Sequence, residues 1–231
     1  MKIIAVIPAR GGSKRIPHKN IRLFAGKPII AYSIEAAQGS SLFDRVIVST
    51  DDEKIAAVAR SFGAEVPFFR PDALADDFCG TNAVVKHCLQ WLRQEENYAA
   101  DIACCIYATA PFLNETYLRQ GLDLLLSREK MFAFSVTSYA FPVQRALRID
   151  KDGCVKALYP ENIAVRSQDI EPIYHDAAQF YWGTAAAFLY DAVTYSPISI
   201  PVILPRYLVQ DIDTEEDWQQ AELMFHAISR R

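Results

Sequence analysis

The chain opens with an apolar run, Lys2-Ile3-Ile4-Ala5-Val6-Ile7, that passes directly into Pro8-Ala9-Arg10-Gly11-Gly12-Ser13-Lys14-Arg15-Ile16-Pro17-His18-Lys19-Asn20. A short, β-branched segment bounded by proline and paired glycines reads as a buried strand feeding a loop. Adjacent glycines allow a tight turn whose amides face an anion, and Arg10, Lys14, Arg15 and Lys19 add positive charge to the same turn. A triphosphate suits such a loop. The spacing matches neither G-x-x-x-x-G-K-[ST] nor G-x-G-x-x-G, which argues against a P-loop NTPase and against a dinucleotide fold. The plain alternative is a basic surface turn.

Further strand candidates recur at Arg45 to Ser49, Glu65 to Phe68, Ile102 to Tyr107 and Met131 to Thr137, with helical patterns between most of them. This alternation predicts an α/β fold with a mostly parallel sheet. Pro28 stands at a plausible first helical turn, Asp52 can cap a second helix that Gly63 ends, and 81–94 and 114–126 continue the series. Loops after Pro8, Ser49 and Tyr107 fall at the carboxyl edge of such a sheet, where open α/β folds bind ligands. From 138 to 179 the alternation fails, and short strand-like pieces flank the Asp152-Gly153 turn, so an inserted hairpin region is expected. Two returning strands, 185–190 and 202–204, and a closing helix from Thr214, boxed by Asp217, complete the reading.

With 231 residues, 51% of them apolar, the chain can bury one core without metal or disulfide staples, and a single domain over 1–231 is expected. A net charge of −4 argues against a nucleic-acid surface. Five cysteines without a C-x-x-C pair fit reduced thiols, no run approaches the ~20 apolar residues of a membrane span, and no signal-peptide pattern opens the chain. A soluble cytoplasmic protein is the expectation.

The segment P-A-R-G-G-S-K-x-I-P-x-K-N resembles the signature of cytidylyltransferases that activate sialic acids and related nine-carbon acidic sugars. The similarity continues through Ser49-Thr50-Asp51-Asp52, Phe69-Arg70-Pro71, Thr109-Ala110-Pro111 and Gln210-Asp211-Ile212-Asp213-Thr214-Glu215-Glu216-Asp217, nearly the whole chain. Arg166-Ser167-Gln168-Asp169 and the run from Tyr174 to Trp182 are most similar to the branch that activates pseudaminic acid. The resemblance implies a three-layer Rossmann-like nucleotidyltransferase fold in which 138–179 forms a homodimer contact and lends residues to the neighbouring active site. The residues alone equally allow a monomeric flap. It also implies that Arg70 reads cytosine, that Thr81 stands near the base, that Ala9, Ser13 and Asn20 lie against the nucleotide, and that CTP is the co-substrate.

Sugar activation requires the anomeric hydroxyl to attack the α-phosphate of CTP and expel pyrophosphate, so positioning and charge neutralisation dominate. Arg10, Lys14 and Lys19 are assigned to the triphosphate, assisted by amides around Gly11 and Gly12. Asp211 and Asp213 alternate on an extended segment, so both carboxylates project to one face and can hold a divalent ion, with Mg2+ expected. Arg10, Lys19, Asp211 and Asp213 are the catalytic candidates. Their alternative is an acidic approach to the last helix. Asp-Ile-Asp-Thr also mimics a phosphatase nucleophile motif, which belongs near the start of its fold and not 18 residues from the end.

For the acidic sugar the candidates are Tyr107, Gln144, Arg145, Arg166, Gln168, His175, Gln179, Phe180 and Tyr181, which can meet carboxylate, acetamido and methyl groups. Relatives that activate sialic acid commonly carry Gln-Pro-Thr-Ser-Pro where this chain has Tyr107-Ala108-Thr109-Ala110-Pro111. An aromatic in place of the amide favours a less polar, deoxygenated nonulosonic acid. The same chemistry on N-acetylneuraminic acid, legionaminic acid or Kdo is the near alternative, and a nucleotide-binding assembly protein without turnover is the distant one. His175 beside Asp176 is either a titrating pair or a packing residue.

Overall fold

The protein is described from a computed structural model over residues 1–76 and 79–229. In chain order its elements are β1 (Ile3–Pro8), β2 (Leu23–Phe24), β3 (Lys27–Pro28), α1 (Ile29–Gly39), β4 (Arg45–Ser49), α2 (Glu53–Ser61), α3 (Thr81–Glu95), β5 (Ile102–Ile106), α4 (Glu115–Ser127), β6 (Phe132–Ser138), β7 (Leu147–Ile149), β8 (Val155–Ala157), β9 (Tyr174–Thr184), α5 (Ala185–Leu189), β10 (Ser199–Ile203) and α6 (Glu215–Ser229). Six strands form one sheet in the order β10-β6-β9-β5-β1-β4. β1 pairs in parallel with β4 and β5, and β10 with β6, while β9 runs antiparallel to both of its neighbours.

The period-2 alternation of β1 separates the two faces. Ile3, Ala5 and Ile7 pack under α1, α2 and α4 through Ile30, Ile34, Ile55, Leu118 and Leu122. Ile4 and Val6 point the other way, onto Val85, Cys88, Leu89 and Leu92 of α3 and onto α5. Strands covered on both faces read as unbroken apolar runs, which is why β1 and β5 are legible in the sequence. Helices α2, α4 and α6 start where capping chemistry predicts. Asp52 accepts from the amides of Lys54 and Ile55, Asn114 from Thr116, and Thr214 and Asp217 cap each other reciprocally.

Three elements differ from expectation. Residues 65–68 form no full strand; isolated bridges stand at Glu65 and, just beyond the segment, at Phe69. Within 185–190, expected as a strand, Ala185–Leu189 form a helix, because the Thr184 hydroxyl accepts from the Ala187 amide and caps a run that opens with three alanines. The long strand β9 begins inside the segment read as irregular, so residues 174–179 belong to the main sheet and 139–173 lie outside it. That excursion carries the expected hairpin, β7 on β8, with Gly153 at φ 78 in its turn. It returns the chain to the same end of the sheet without a crossover helix, so β9 must enter antiparallel. Its first residues therefore pair with the end of β6, at the edge of the sheet where β1, β4 and β5 also end.

No described helix is long and apolar enough to cross a membrane, and all five cysteines are free.

Candidate active site

β1 ends at Pro8, and the Ala9 amide extends the ladder by one more bond, to the Ser49 carbonyl at 2.9 Å. The chain then crosses the end of β4, where the Gly11 amide donates to Asp51 Oδ1 at 2.9 Å. Neither Gly11 nor Gly12 has a positive φ. Gly11 is needed for proximity instead: a Cβ there would lie 2.8 Å from Asp52 Oδ2 and 2.9 Å from Asp52 Cβ, whereas a Cβ on Gly12 meets nothing within 4 Å. Two loop amides face protein rather than an anion, that of Gly11 on Asp51 and that of Ser13 on the Gly11 carbonyl at 3.0 Å. Asn20, nearly buried, donates to the Arg10 carbonyl at 2.9 Å and braces the loop from within.

The loop is anchored to the far end of the chain. Ile16, Phe24, Ile29, Phe112, Ile212 and Trp218 form a third apolar cluster. Ile212 is fully buried in it, worth about 1.5–3 kcal/mol. The acids on either side, Asp211 and Asp213, are thereby held at the mouth of the loop. Lys19 Nζ donates to the Ile212 carbonyl at 2.6 Å and lies 3.4 Å from Asp213 Oδ1, which Arg15 also meets at 2.9 Å. Partial desolvation, then the neighbouring Asp213 charge, pushes the Asp211 carboxyl above its usual value, and Lys19 opposes the shift.

Between these walls lies a cleft of about 550 Å³. Arg10, Ser13, Lys14, Lys19 and Asn20 line one side, with Asp213 beside them, and Arg70, Thr81 and Tyr107 line another. Arg70 is buried, with its guanidinium on the Ser49 carbonyl and, at 3.2 Å, on the Ser49 hydroxyl. Burial lowers its pKa and the Asp51 charge acts against that shift; an arginine stays cationic at neutral pH all the same. Thr81 opens α3, so the positive end of a helix dipole also points at the cleft. Several fixed cations, a helix N-terminus and two nearby carboxylates can hold a polyphosphate with a divalent ion.

The other predicted sugar residues divide into two groups. Gln179 is buried, with its side-chain amide donating to the Leu208 carbonyl and its backbone carbonyl accepting from the Tyr107 backbone amide at 2.9 Å. Phe180 is fully buried against Gly121 of α4 and does not line the cleft. Tyr181 stands behind Tyr107, with ring centroids 5.5 Å apart. Gln144, Arg145, Arg166 and Gln168 lie in the 139–173 excursion. There Gln144 holds the Glu171 carbonyl at 2.9 Å, Arg145 the Val165 carbonyl and Arg166 the Asp169 carboxylate at 2.7 Å. Arg145 lines a separate hollow of about 520 Å³ with Tyr139, Phe141 and Val143. His175 does not pair with the Asp176 carboxylate. Its Nδ1 lies 2.8 Å from the Asp176 carbonyl, and its ring packs on Tyr139 at 4.8 Å.

Sequence reasoning missed Asp176 as an acceptor of tyrosine hydroxyls. Tyr181 and Tyr195 both donate to its Oδ2, Tyr195 at 2.6 Å. The available signal was an acid within an aromatic strand, but the bulge that aims it is a tertiary feature. Between the pairs Phe134–Tyr181 and Val136–Asp176, four residues of β9 face Ser135 alone, with Ala178 at φ 50 and the Ser135 hydroxyl bonded to the Gln179 and Phe180 amides. Asp51 and Arg15 were likewise given no individual role.

A cytidylyltransferase family profile matches residues 4–216. The chain is 44% identical over 225 residues to a pseudaminic acid cytidylyltransferase of Campylobacter jejuni subsp. jejuni serotype O:2, covering 97% of each chain. It is 34% identical to the CMP-N,N'-diacetyllegionaminic acid synthase of Legionella pneumophila, covering 96% of this chain and 95% of that one. Its fold is similar to that of a CMP:2-keto-3-deoxy-manno-octonic acid synthetase complexed with CTP, with a TM-score of 0.70 at 16% identity over 98% and 99% of the two chains. A loop of fixed cations at the end of the first strand, facing an acid pair near the end of the chain, thus sits on a shared α/β scaffold, and the chain belongs to the cytidylyltransferase family.

Proposed function

We propose that the protein couples CTP to pseudaminic acid, releasing CMP-pseudaminic acid and pyrophosphate. The observation that carries the sugar assignment is the 44% identity, spread over 97% of both chains, to a pseudaminic acid cytidylyltransferase. Tyr107 in the cleft wall agrees with it, offering an aromatic surface and one hydroxyl where a long amide would favour a more polar acid.

Arg10, Lys14 and Lys19 neutralise the triphosphate and the charge that builds on the departing pyrophosphate. Arg70 and Thr81 hold the nucleoside end, and Ala9, Gly11, Gly12, Ser13 and Asn20 shape the loop around it. The sugar's anomeric oxygen attacks the α-phosphorus, the bond from that phosphorus to the pyrophosphate oxygen breaks, and the hydroxyl proton departs. Asp211 and Asp213 fit a magnesium ion. Burial first, and then the Asp213 charge, raises the pKa of Asp211, so the two carboxylates are electrostatic neighbours, and no third acid, histidine or cysteine joins them in a metal-sized cluster among the described residues. Magnesium commonly takes one or two carboxylates and completes its shell with phosphate and water. When bound, it supplies Lewis-acid polarisation of the phosphate oxygens. Arg15 and Lys19 both pair with Asp213 Oδ1.

The excursion 139–173 leaves Phe141, Leu147, Ile149 and Val155 largely exposed, an apolar surface that a second copy of the chain would cover. Gln144, Arg145, Arg166 and Gln168 on the same excursion are then placed to serve the partner's sugar site. His175, Gln179, Phe180 and Tyr181 support the sugar end within one chain. A homodimer mass in light scattering tests this arrangement, and a monomer at working concentration overturns it.

The test of the reaction is incubation with CTP, magnesium and, in turn, pseudaminic, legionaminic and N-acetylneuraminic acids and Kdo, following pyrophosphate and the mass of the product. Preference for pseudaminic acid is expected. Preference for another acid moves the sugar assignment, and no product with any of them overturns the function. Asp213→Asn should cut turnover by about 100-fold or more, the scale of removing a group that stabilises transition-state charge.

A further inference from the structure

We infer that Ser49 is a positioning residue for base selection: it holds one edge of the Arg70 guanidinium, so that the other edge, a fork of two parallel N–H donors, meets the nucleoside and takes cytosine in preference to uracil. The inference rests on the cytidylyltransferase reading above and adds the part that sets its choice of base.

Ser49 is the last residue of β4 and is fully buried. Its hydroxyl accepts from Arg70 Nε at 3.2 Å, and its carbonyl accepts from Arg70 Nη2. Nε and Nη2 share one edge of the planar guanidinium, so a single residue grips that edge at two points. The same carbonyl takes the Ala9 amide at 2.9 Å, which ties the arginine to the place where the basic loop leaves β1. The backbone of Arg70 is fixed as well. Phe69 bridges Thr50, and the Arg70 amide donates to the Thr50 carbonyl at 2.7 Å. Both ends of the side chain are therefore set by the end of β4 before a ligand arrives.

Arg70 is 6% exposed and lines the cleft. The edge on Ser49 faces a fully buried residue, so Nη1 and the second hydrogen of Nη2 are the donors left for the cleft. Pro8, Val84 and Ala108 line the cleft with Arg70 and offer apolar contact to a flat ring.

A fork of two parallel donors fits two adjacent acceptors in one plane. Cytosine has that pair in O2 and the unprotonated N3. Uracil carries a hydrogen on N3, so one N–H of the fork would meet another donor and stay unpaired in a desolvated site, which selects strongly against it. The distinction requires the fork to keep its plane. A guanidinium that swings gives one N–H to O2, which both pyrimidines possess, and the second donor no longer reads position 3. Two contacts to Ser49 fix the plane; one contact leaves a pivot.

The test is steady-state kinetics with magnesium and whichever nonulosonic acid the unsubstituted enzyme turns over fastest, with CTP and UTP compared as substrates and UTP also assayed as a competitive inhibitor of CTP. Ser49→Ala removes the hydroxyl and keeps the carbonyl contact as the pivot. It should lower kcat/KM for CTP about tenfold, the size of one hydrogen bond to a charged group, while kcat/KM and the inhibition constant for UTP and the sugar KM stay unmoved. Arg70→Lys, a single-point donor, should also lose the preference, and the double variant Ser49→Ala/Arg70→Lys should match Arg70→Lys alone, because Ser49 acts through Arg70. A CTP-over-UTP preference in Ser49→Ala within twofold of the unsubstituted enzyme overturns the inference. So do parallel losses with both nucleotides, which mark a general structural defect, or additive losses in the double variant. Should Ser49→Ala fail to fold, Ser49→Cys carries the test, since sulfur is a weak acceptor on a side chain of the same length. If the unsubstituted enzyme makes no product from CTP with any nonulosonic acid, both the functional reading and this inference fall, an outcome distinct from an active enzyme whose Ser49 variants keep their preference.

Discussion

Adding one methyl group to the loop after β1 tests whether close approach, rather than backbone freedom, explains its first glycine. In Gly11→Ala the new Cβ would sit 2.8–2.9 Å from Asp52, closer than real Cβ contacts allow, and the atoms it meets include Asp52 Cβ as well as the mobile carboxylate end. Asp52 cannot withdraw freely, because its Oδ1 accepts from Lys54 N at 2.7 Å and from Ile55 N at 3.1 Å to cap α2. If the acid yields, the cap is lost at a cost of about 1 kcal/mol, which lowers Tm by roughly 2–4 °C in a domain of this size. If the loop yields, it moves away from the cleft, and a displacement on the order of 1 Å costs about 100-fold in kcat/KM. Gly12→Ala is the control: its Cβ enters open space and its φ is not left-handed, so Tm should not change. The assays are thermal unfolding of the ligand-free protein and CTP-dependent pyrophosphate release. A Gly11→Ala protein with unsubstituted Tm and kcat/KM, or a Gly12→Ala protein that loses as much Tm, would refute the reasoning.

Arg22 grips Glu215 through two bonds of 2.6 Å, and that contact holds the Glu215 carboxyl below its usual value. A carboxylate whose folded pKa is depressed stabilises the fold above its unfolded value of 4.5 and loses that contribution as pH falls through the folded value. The Tm gap between the unsubstituted protein and Glu215→Gln should therefore be full at pH 7 and close in acid; a gap that persists at pH 2 would contradict the assignment. Burial pushes the thiols of Cys88 and Cys105 up to about 12 and also raises that of Cys104 well above its ordinary value, whereas Cys154 is exposed. Brief iodoacetamide treatment of the native protein near neutral pH should label Cys154 and spare those three until denaturant is added, as read by peptide mass.

Local chemistry wrote much of the molecule into its sequence. β1 and β4 are legible because a strand buried on both faces must be apolar along its whole length, and the starts of α2, α4 and α6 because Asp52, Asn114 and Thr214 carry the oxygen a helix N-terminus needs. The basic loop and the Asp211–Asp213 pair are legible for the same reason: charge type and spacing are properties of the chain. What needed the tertiary structure are the features made by distant segments meeting. Ile212 is a core residue only because Ile16, Phe24 and Trp218 surround it, and that burial brings the acid pair to the loop. Phe180 and Tyr181 are neighbours in sequence, yet the pleat sends one into the core under α4 and the other behind Tyr107. Asp176 acquires its tyrosine partners through a bulge opposite Ser135 and a loop tied to α3, neither of which has a local signature. A sequence states which groups the chain can bring; sheet order and bulge geometry decide which of them meet.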